Sequence, residues 1–193
     1  MKNTDNLPII AFETQQDWEA WLEEHHTHTK AIWLKLAKKD TDIASVSYAQ
    51  AVEGALCYGW IDGQKASCDE QYWLQKFTPR SPKSMWSKVN CGKATVLMAE
   101  GRMQPAGMQQ VELAKADGRW EAAYESQSKI TVPADFQSAL DKNQQARDFF
   151  NTLNSVNRYA ILFRIQTAKK PETRSARIQK FIEMLTNAMC KFC

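Results

Sequence analysis

The stretch "FTPRSPKSMWSKVN", residues 77–90, places two prolines, three basic side chains and a tryptophan in fourteen positions without an acidic residue. Each proline restricts the residue before it, so Thr78-Pro79 and Ser81-Pro82 stiffen the chain. A stiff loop loses less entropy when it holds a ligand. Ser84 reads as a helix N-cap, and the free N–H groups behind a cap favour an anion. Arg80, Lys83 and Lys88 would surround that helix start, with Trp86 stacking on a flat ligand or packing inside. The same prolines and cap are also ordinary punctuation at a helix start. As a binding site, the stretch predicts that Glu at both Arg80 and Lys83 abolishes capture and leaves Tm nearly unchanged.

"GWIDG", residues 59–63, adds Trp60 and Asp62 to this candidate site. A carboxylate beside aromatic surface has a raised pKa and suits general acid/base work near neutral pH. The structural alternative is a helix stop followed by a strand, with Asp62 accepting from local backbone donors. The run "RIQTAKKPETRSAR", residues 164–177, offers a second anion-facing end through Lys169, Lys170 and Arg174, where Pro171 begins the last helix. A solvated helix junction with Glu172 paired to a neighbouring base is the preferred reading there.

Other constellations fall short of chemistry. His25, His26 and His28 with Glu23 or Glu24 resemble a ligand set, but adjacent histidines on a helix point apart, and no metal site is assigned. A protonated histidine there complements the helix C-terminus. Cys190 and Cys193 form one C-x-x-C pair at the chain end without a second pair, so they read as exposed thiols. Cys57 beside Leu56 and Tyr58 reads as packing, and all three histidines, the candidate bases, sit in one four-residue window expected at the surface. Neither G-x-x-x-x-G-K-[ST] nor G-x-G-x-x-G occurs, so no cofactor is assigned and no catalytic residue is named.

The elements that position these groups come in two kinds. Residues 17–26 space Trp18, Trp21 and Leu22 for a short helix, and "AIWLKLAKK" alternates as a half-buried strand. Ser47 and Gln50 form a capping box for a helix with Tyr48, Ala51, Val52, Ala55 and Leu56 inward, closed by Gly59. "WIDGQKAS" and "YWLQKFTP" read as a hairpin turning at "CDEQ", with Gly63 as a bulge; Asp62-Gly63 is the rival turn. From Ser84 a helix is expected to run to about Ala99, with Trp86, Val89, Val96 and Leu97 inward. Helices follow from Pro105, Pro133, a Ser155 cap and Pro171, the last with an Ile178, Phe181, Ile182, Leu185 stripe. The fold class is therefore α+β. A small antiparallel sheet with helices fills residues 1–128, and an all-helical region, 129–193, is expected to pack as one unit with it.

Bulk properties bound the function. The chain has 193 residues, 25 basic and 22 acidic, for a net charge of +3, too balanced for a general nucleic-acid trap. Most of the seven tryptophans should be core. The N-terminal residues show no signal-peptide pattern and no stretch nears the roughly 20 apolar residues of a spanning helix, so a cytoplasmic protein without membrane insertion is expected. Five scattered cysteines suit reduced thiols.

Five segments, "ALCYGWIDGQ", "YWLQKFTPRSPKSMWSKVN", "AEGRMQPAGM", "KADGRWEAAY" and "NRYAILFRIQTAKKPETRSARIQKFIEML", together resemble the YdeI/OmpD-associated, or bacteriocin-protection, family over residues 7–185. The resemblance implies a bacterial protein linked to resistance to bacteriocins and cationic antimicrobial peptides, and indirectly to a porin. It supplies no catalytic residues. Cys91-Gly92 and the tail "NAMCKFC" depart from the family pattern. The leading expectation is thus a non-catalytic stress-resistance protein binding an anionic small molecule or a partner protein. Nucleic-acid binding, with Trp86 or Trp60 stacking on bases, is the alternative; an enzyme using Asp62 is the third.

Overall fold

The computed structural model describes residues 7–187, so Cys190 and Cys193 lie outside the described residues. The chain divides into two compact units, each built around its own buried side chains. The first comprises the described residues up to Trp86 together with Asn90–Glu121; the second joins Ser87–Val89 to the chain from Ala122 onward.

In the first unit the order is β1 (Ile9–Ala11), α1 (Gln15–His25), β2 (Ile32–Ala37), α2 (Tyr48–Cys57), β3 (Trp60–Ser67), β4 (Tyr72–Pro79), α3 (Lys88–Ala99, from Asn90) and α4 (Pro105–Ala116). The sheet order is β1-β2-β4-β3. β4 pairs antiparallel with both β2 and β3, as the hairpin reading requires. β1 was not expected, and it pairs parallel with β2. The sheet is therefore mixed rather than antiparallel; three residues are too few to show alternation in sequence. Ile32, Leu34 and Leu36 are buried as expected, and so is Trp33 on the opposite face.

Local chemistry explains most boundaries. The Ser47 and Gln50 side chains answer each other's backbone N–H groups, as expected, and Thr14 and Asp17 do the same for α1. Tyr48, assigned to the inward stripe of α2, is instead 38% exposed at the first turn. Gly59 takes φ 74° and lets the chain turn from α2 into β3. Gly107 is where α4 meets the end of α2, and a Cβ there would lie 2.2 Å from the Cys57 carbonyl oxygen.

α3 differs from the expectation. It begins at Lys88, because the Ser84 hydroxyl accepts from the Ser81 N–H at 2.9 Å and closes a turn instead of capping a helix. With Trp86 outside the helix, the phase anchored on it is lost. Ala94 and Leu97 face inward, whereas Val89 and Val96 are exposed.

The second unit holds α5 (Ala134–Asp141), α6 (Gln144–Thr152), α7 (Ser155–Gln166) and α8 (Pro171–Thr186). Phe136, Leu140, Ala146, Phe150, Ile161, Leu162, Ile165, Phe181 and Leu185 form its core. Asn154, one residue before the expected Ser155, caps α7, its side chain accepting from Asn157 N–H at 2.9 Å. Among the described residues no helix is long and apolar enough to cross a membrane.

Candidate functional site

The basic stretch folds into a knot of structural contacts. Trp86 is 1% exposed, and the Arg80 guanidinium, 6% exposed, lies 3.6 Å from its ring centroid. Arg80 Nη1 donates to the Met85 carbonyl at 3.2 Å, and its backbone N–H to Gly59 O at 2.9 Å. Arg119, also buried, donates Nη1 to the Ser84 carbonyl at 3.0 Å and Nε to both Asp117 oxygens at 2.8 and 2.7 Å. Two guanidiniums thus hold the carbonyls of residues 84 and 85 and set the path of the chain. Lys83 is exposed on the turn. Lys88 belongs to the second unit, where its ammonium meets Glu125 at 2.5 Å and its N–H donates to Tyr124 O. The structure therefore brings Arg80 and Trp86 together in the first unit. Because Arg80 is buried, its reversal is expected to lower Tm, where the sequence reading expects no change.

The remaining predicted residues scatter. Trp60 is 1% exposed and donates Nε1 to the His26 carbonyl at 3.2 Å. Both indoles assigned to base stacking are core side chains. Asp62 accepts from the Tyr48 hydroxyl at 2.6 Å rather than from backbone donors. His25 and His26 each donate Nδ1–H to the carbonyl four residues earlier at 2.8 Å, since a carbonyl can only accept, and thereby finish α1. Among the described residues no group of three His, Cys, Asp or Glu side chains converges to hold a metal. Burial pushes the Cys57 thiol up to about 11, so it is protonated and unreactive near neutral pH.

At the second expected anion site, Arg174 is engaged by a carboxylate that sequence reasoning did not pair with it. Its Nε and Nη2 donate to the two Asp135 oxygens at 2.5 and 2.8 Å, and Nη1 donates to the Ile165 carbonyl at 2.9 Å. Arg177 donates to the Arg164 carbonyl, while Lys169 and Lys170 are exposed. The fork-shaped pair holds the Asp135 carboxyl below its ordinary 3.8. A depressed folded pKa gives stability that is present above the unfolded value and lost as pH falls through the folded one. Asp135→Asn should therefore destabilise the second unit by about 0.5 kcal/mol at pH 7. The gap from wild type should close below pH 3.8, as read by urea titrations at both pH values.

Beside this ion pair a groove of about 550 Å³ opens between α5 and α8. Ala139, Ile178 and Ile182 supply its apolar lining, and Asp135, Lys142 and Glu183 its charged rim. The α8 stripe read from the sequence divides here. Phe181 and Leu185 enter the core, whereas Ile178 and Ile182 stay partly exposed as groove wall. The stripe was the signal that could have located the groove, being wider than one core contact needs.

Residues 10–110, just over half of the 193-residue chain, match the model for the domain of unknown function DUF8412. The chain belongs to the DUF8412 family. Residues 129–187 match a second model, described as Bacteriocin-protection, YdeI or OmpD-Associated, which agrees with the family resemblance in the sequence. That match is narrower than the resemblance over residues 7–185: the first three segments, within residues 55–108, fall in the DUF8412 match, and the fourth, residues 115–124, falls in neither. No curated protein and no solved structure matches the chain. In this DUF8412 protein all nine groove-lining residues lie inside the bacteriocin-protection match.

Proposed function

We propose that the protein is a non-catalytic, cytoplasmic binding protein of bacteriocin protection, and that a partner polypeptide lays an apolar segment into the groove between α5 and α8. The observation that carries this reading is the coincidence of the groove with the segment matching the bacteriocin-protection model. Its volume is in the range of functional clefts. Apolar anchors at helical spacing on one wall suit a helix or extended segment. Asp135 is already paired with Arg174, and Lys142 is balanced by Glu183, so the rim offers no positive excess for an anionic small molecule and the apolar wall favours the polypeptide.

Nucleic-acid binding would need an accessible stacking ring in place of Trp60 and Trp86. A photo-crosslinking side chain at exposed Gln179 should give one discrete polypeptide adduct in living cells, and Ala139→Arg should remove it. Adducts from Lys83 with none from Gln179 would overturn the assignment.

A further inference from the structure

We propose that Tyr48, Trp73 and Asp62 form a binding site for an alkylammonium group, and that Lys65 occupies it as a resident competitor. The inference concerns the first unit and stands independently of the groove.

The site begins with a bulge. Along β3 and β4, Asp62 is opposite Phe77 and Lys65 is opposite Gln75, with a register shift between them. Three steps on β3 are thus matched to two on β4. Residues three apart in a regular strand lie on opposite faces; the extra residue turns Asp62 and Lys65 to the same face. Gln75 holds this kink: it is fully buried, and its Nε2 donates to the carbonyls of Gly63 at 2.9 Å and Gln64 at 3.3 Å. A buried polar side chain is thereby used to keep a charged pair of positions on one side of the sheet.

Two aromatic walls complete the arrangement. The Tyr48 and Trp73 rings have centroids 5.9 Å apart and planes inclined by 53°, an open V. The Lys65 ammonium lies 5.2 Å from the first centroid and 4.8 Å from the second. Both distances are within the roughly 6 Å at which a ring face attracts a cation. The Tyr48 hydroxyl donates to Asp62 Oδ2 at 2.6 Å, which places a carboxylate at the edge of the same ring. Tyr48 is exposed although it starts the apolar stripe of α2, so its ring serves this surface and not the core.

The ligand class follows from the occupant. Two ring faces and a carboxylate form the kind of cage that selects quaternary ammonium and lysine-derived cations. Lys65 is an exposed strand residue on a flexible stem, and it can leave when a better-placed ammonium arrives. The incoming group is either a lysine side chain of a polypeptide, free or methylated, or a small quaternary ammonium compound.

The test follows the Trp73 indole resonance during titration with tetramethylammonium chloride and, separately, with N-acetyl-lysine methylamide, each against matched sodium chloride. Lys65→Ala should bind at least one of them about fivefold more tightly than wild type, because the competitor is gone. Preference for the lysine derivative assigns the site to polypeptides; preference for tetramethylammonium assigns it to small ammonium compounds. Trp73→Leu in the Lys65→Ala background should abolish saturable binding. Should that variant fail to fold, Asp62→Asn in the same background should weaken binding about threefold. Lys65→Ala with no saturable response to either cation overturns the proposal. So does unchanged affinity after Asp62→Asn.

Discussion

Gly107→Ala is expected to destabilise the first unit by about 3 kcal/mol and lower its Tm by roughly 10 °C. The added Cβ would fall 2.2 Å from Cys57 O and 2.6 Å from Leu56 O. Both obstacles are backbone at the last turn of α2, so no side-chain rotation relieves them. α4 must lift away, and its buried residues Val111 and Ala114 would lose packing with it. Gly92→Ala is the control. A Cβ there meets nothing within 4 Å, and the position is inside α3, so alanine should stabilise by about 0.5–1 kcal/mol. Opposite signs for the same chemical change, read by thermal unfolding, would establish the close approach of α2 and α4. A Gly107→Ala variant with wild-type Tm would contradict it.

Arg80→Glu carries the second large effect, a loss of about 3 kcal/mol in the first unit. The wild-type guanidinium lies over the Trp86 ring, 3.6 Å from its centroid, and donates to the Met85 carbonyl. A carboxylate in its place faces the negative ring surface and cannot donate, and the Met85 carbonyl loses that donor. Lys83→Glu, three residues away on an exposed turn, should stay within about 0.5 kcal/mol of wild type. Chemical denaturation of the two variants separates a structural arginine from a ligand-binding one. Equal, small effects would return Arg80 to the candidate binding residues.

What could be read in advance was set by short-range chemistry. The Ser47–Gln50 box, the β3–β4 hairpin, the irregularity at Gly63 and the proline starts of α4 and α8 all depend on neighbours within a few residues. The start of α3 depends on distant partners. Ser84 can cap a helix or close a turn with Ser81. Contacts from Arg80 and Arg119 to residues 84–86 accompany the second choice.

The surroundings of the candidate site were illegible for a related reason. A run of basic residues has the same composition whether its charges face an anion or lie on an indole. The pairing of Arg174 with Asp135, 39 positions away, is equally silent in the sequence. The groove was half legible, since Ile178 and Ile182 stood in the α8 stripe. Their division from Phe181 and Leu185 appears only once α5 is packed beside them.

The most direct measurement is survival of bacteriocin-challenged cells that carry either Ala139→Arg or Lys83→Glu as their only copy of the protein. The groove reading predicts that Ala139→Arg, at wild-type abundance and Tm, loses protection and that Lys83→Glu retains it. Full protection by Ala139→Arg, with loss in Lys83→Glu, would contradict that reading and return recognition to the basic stretch.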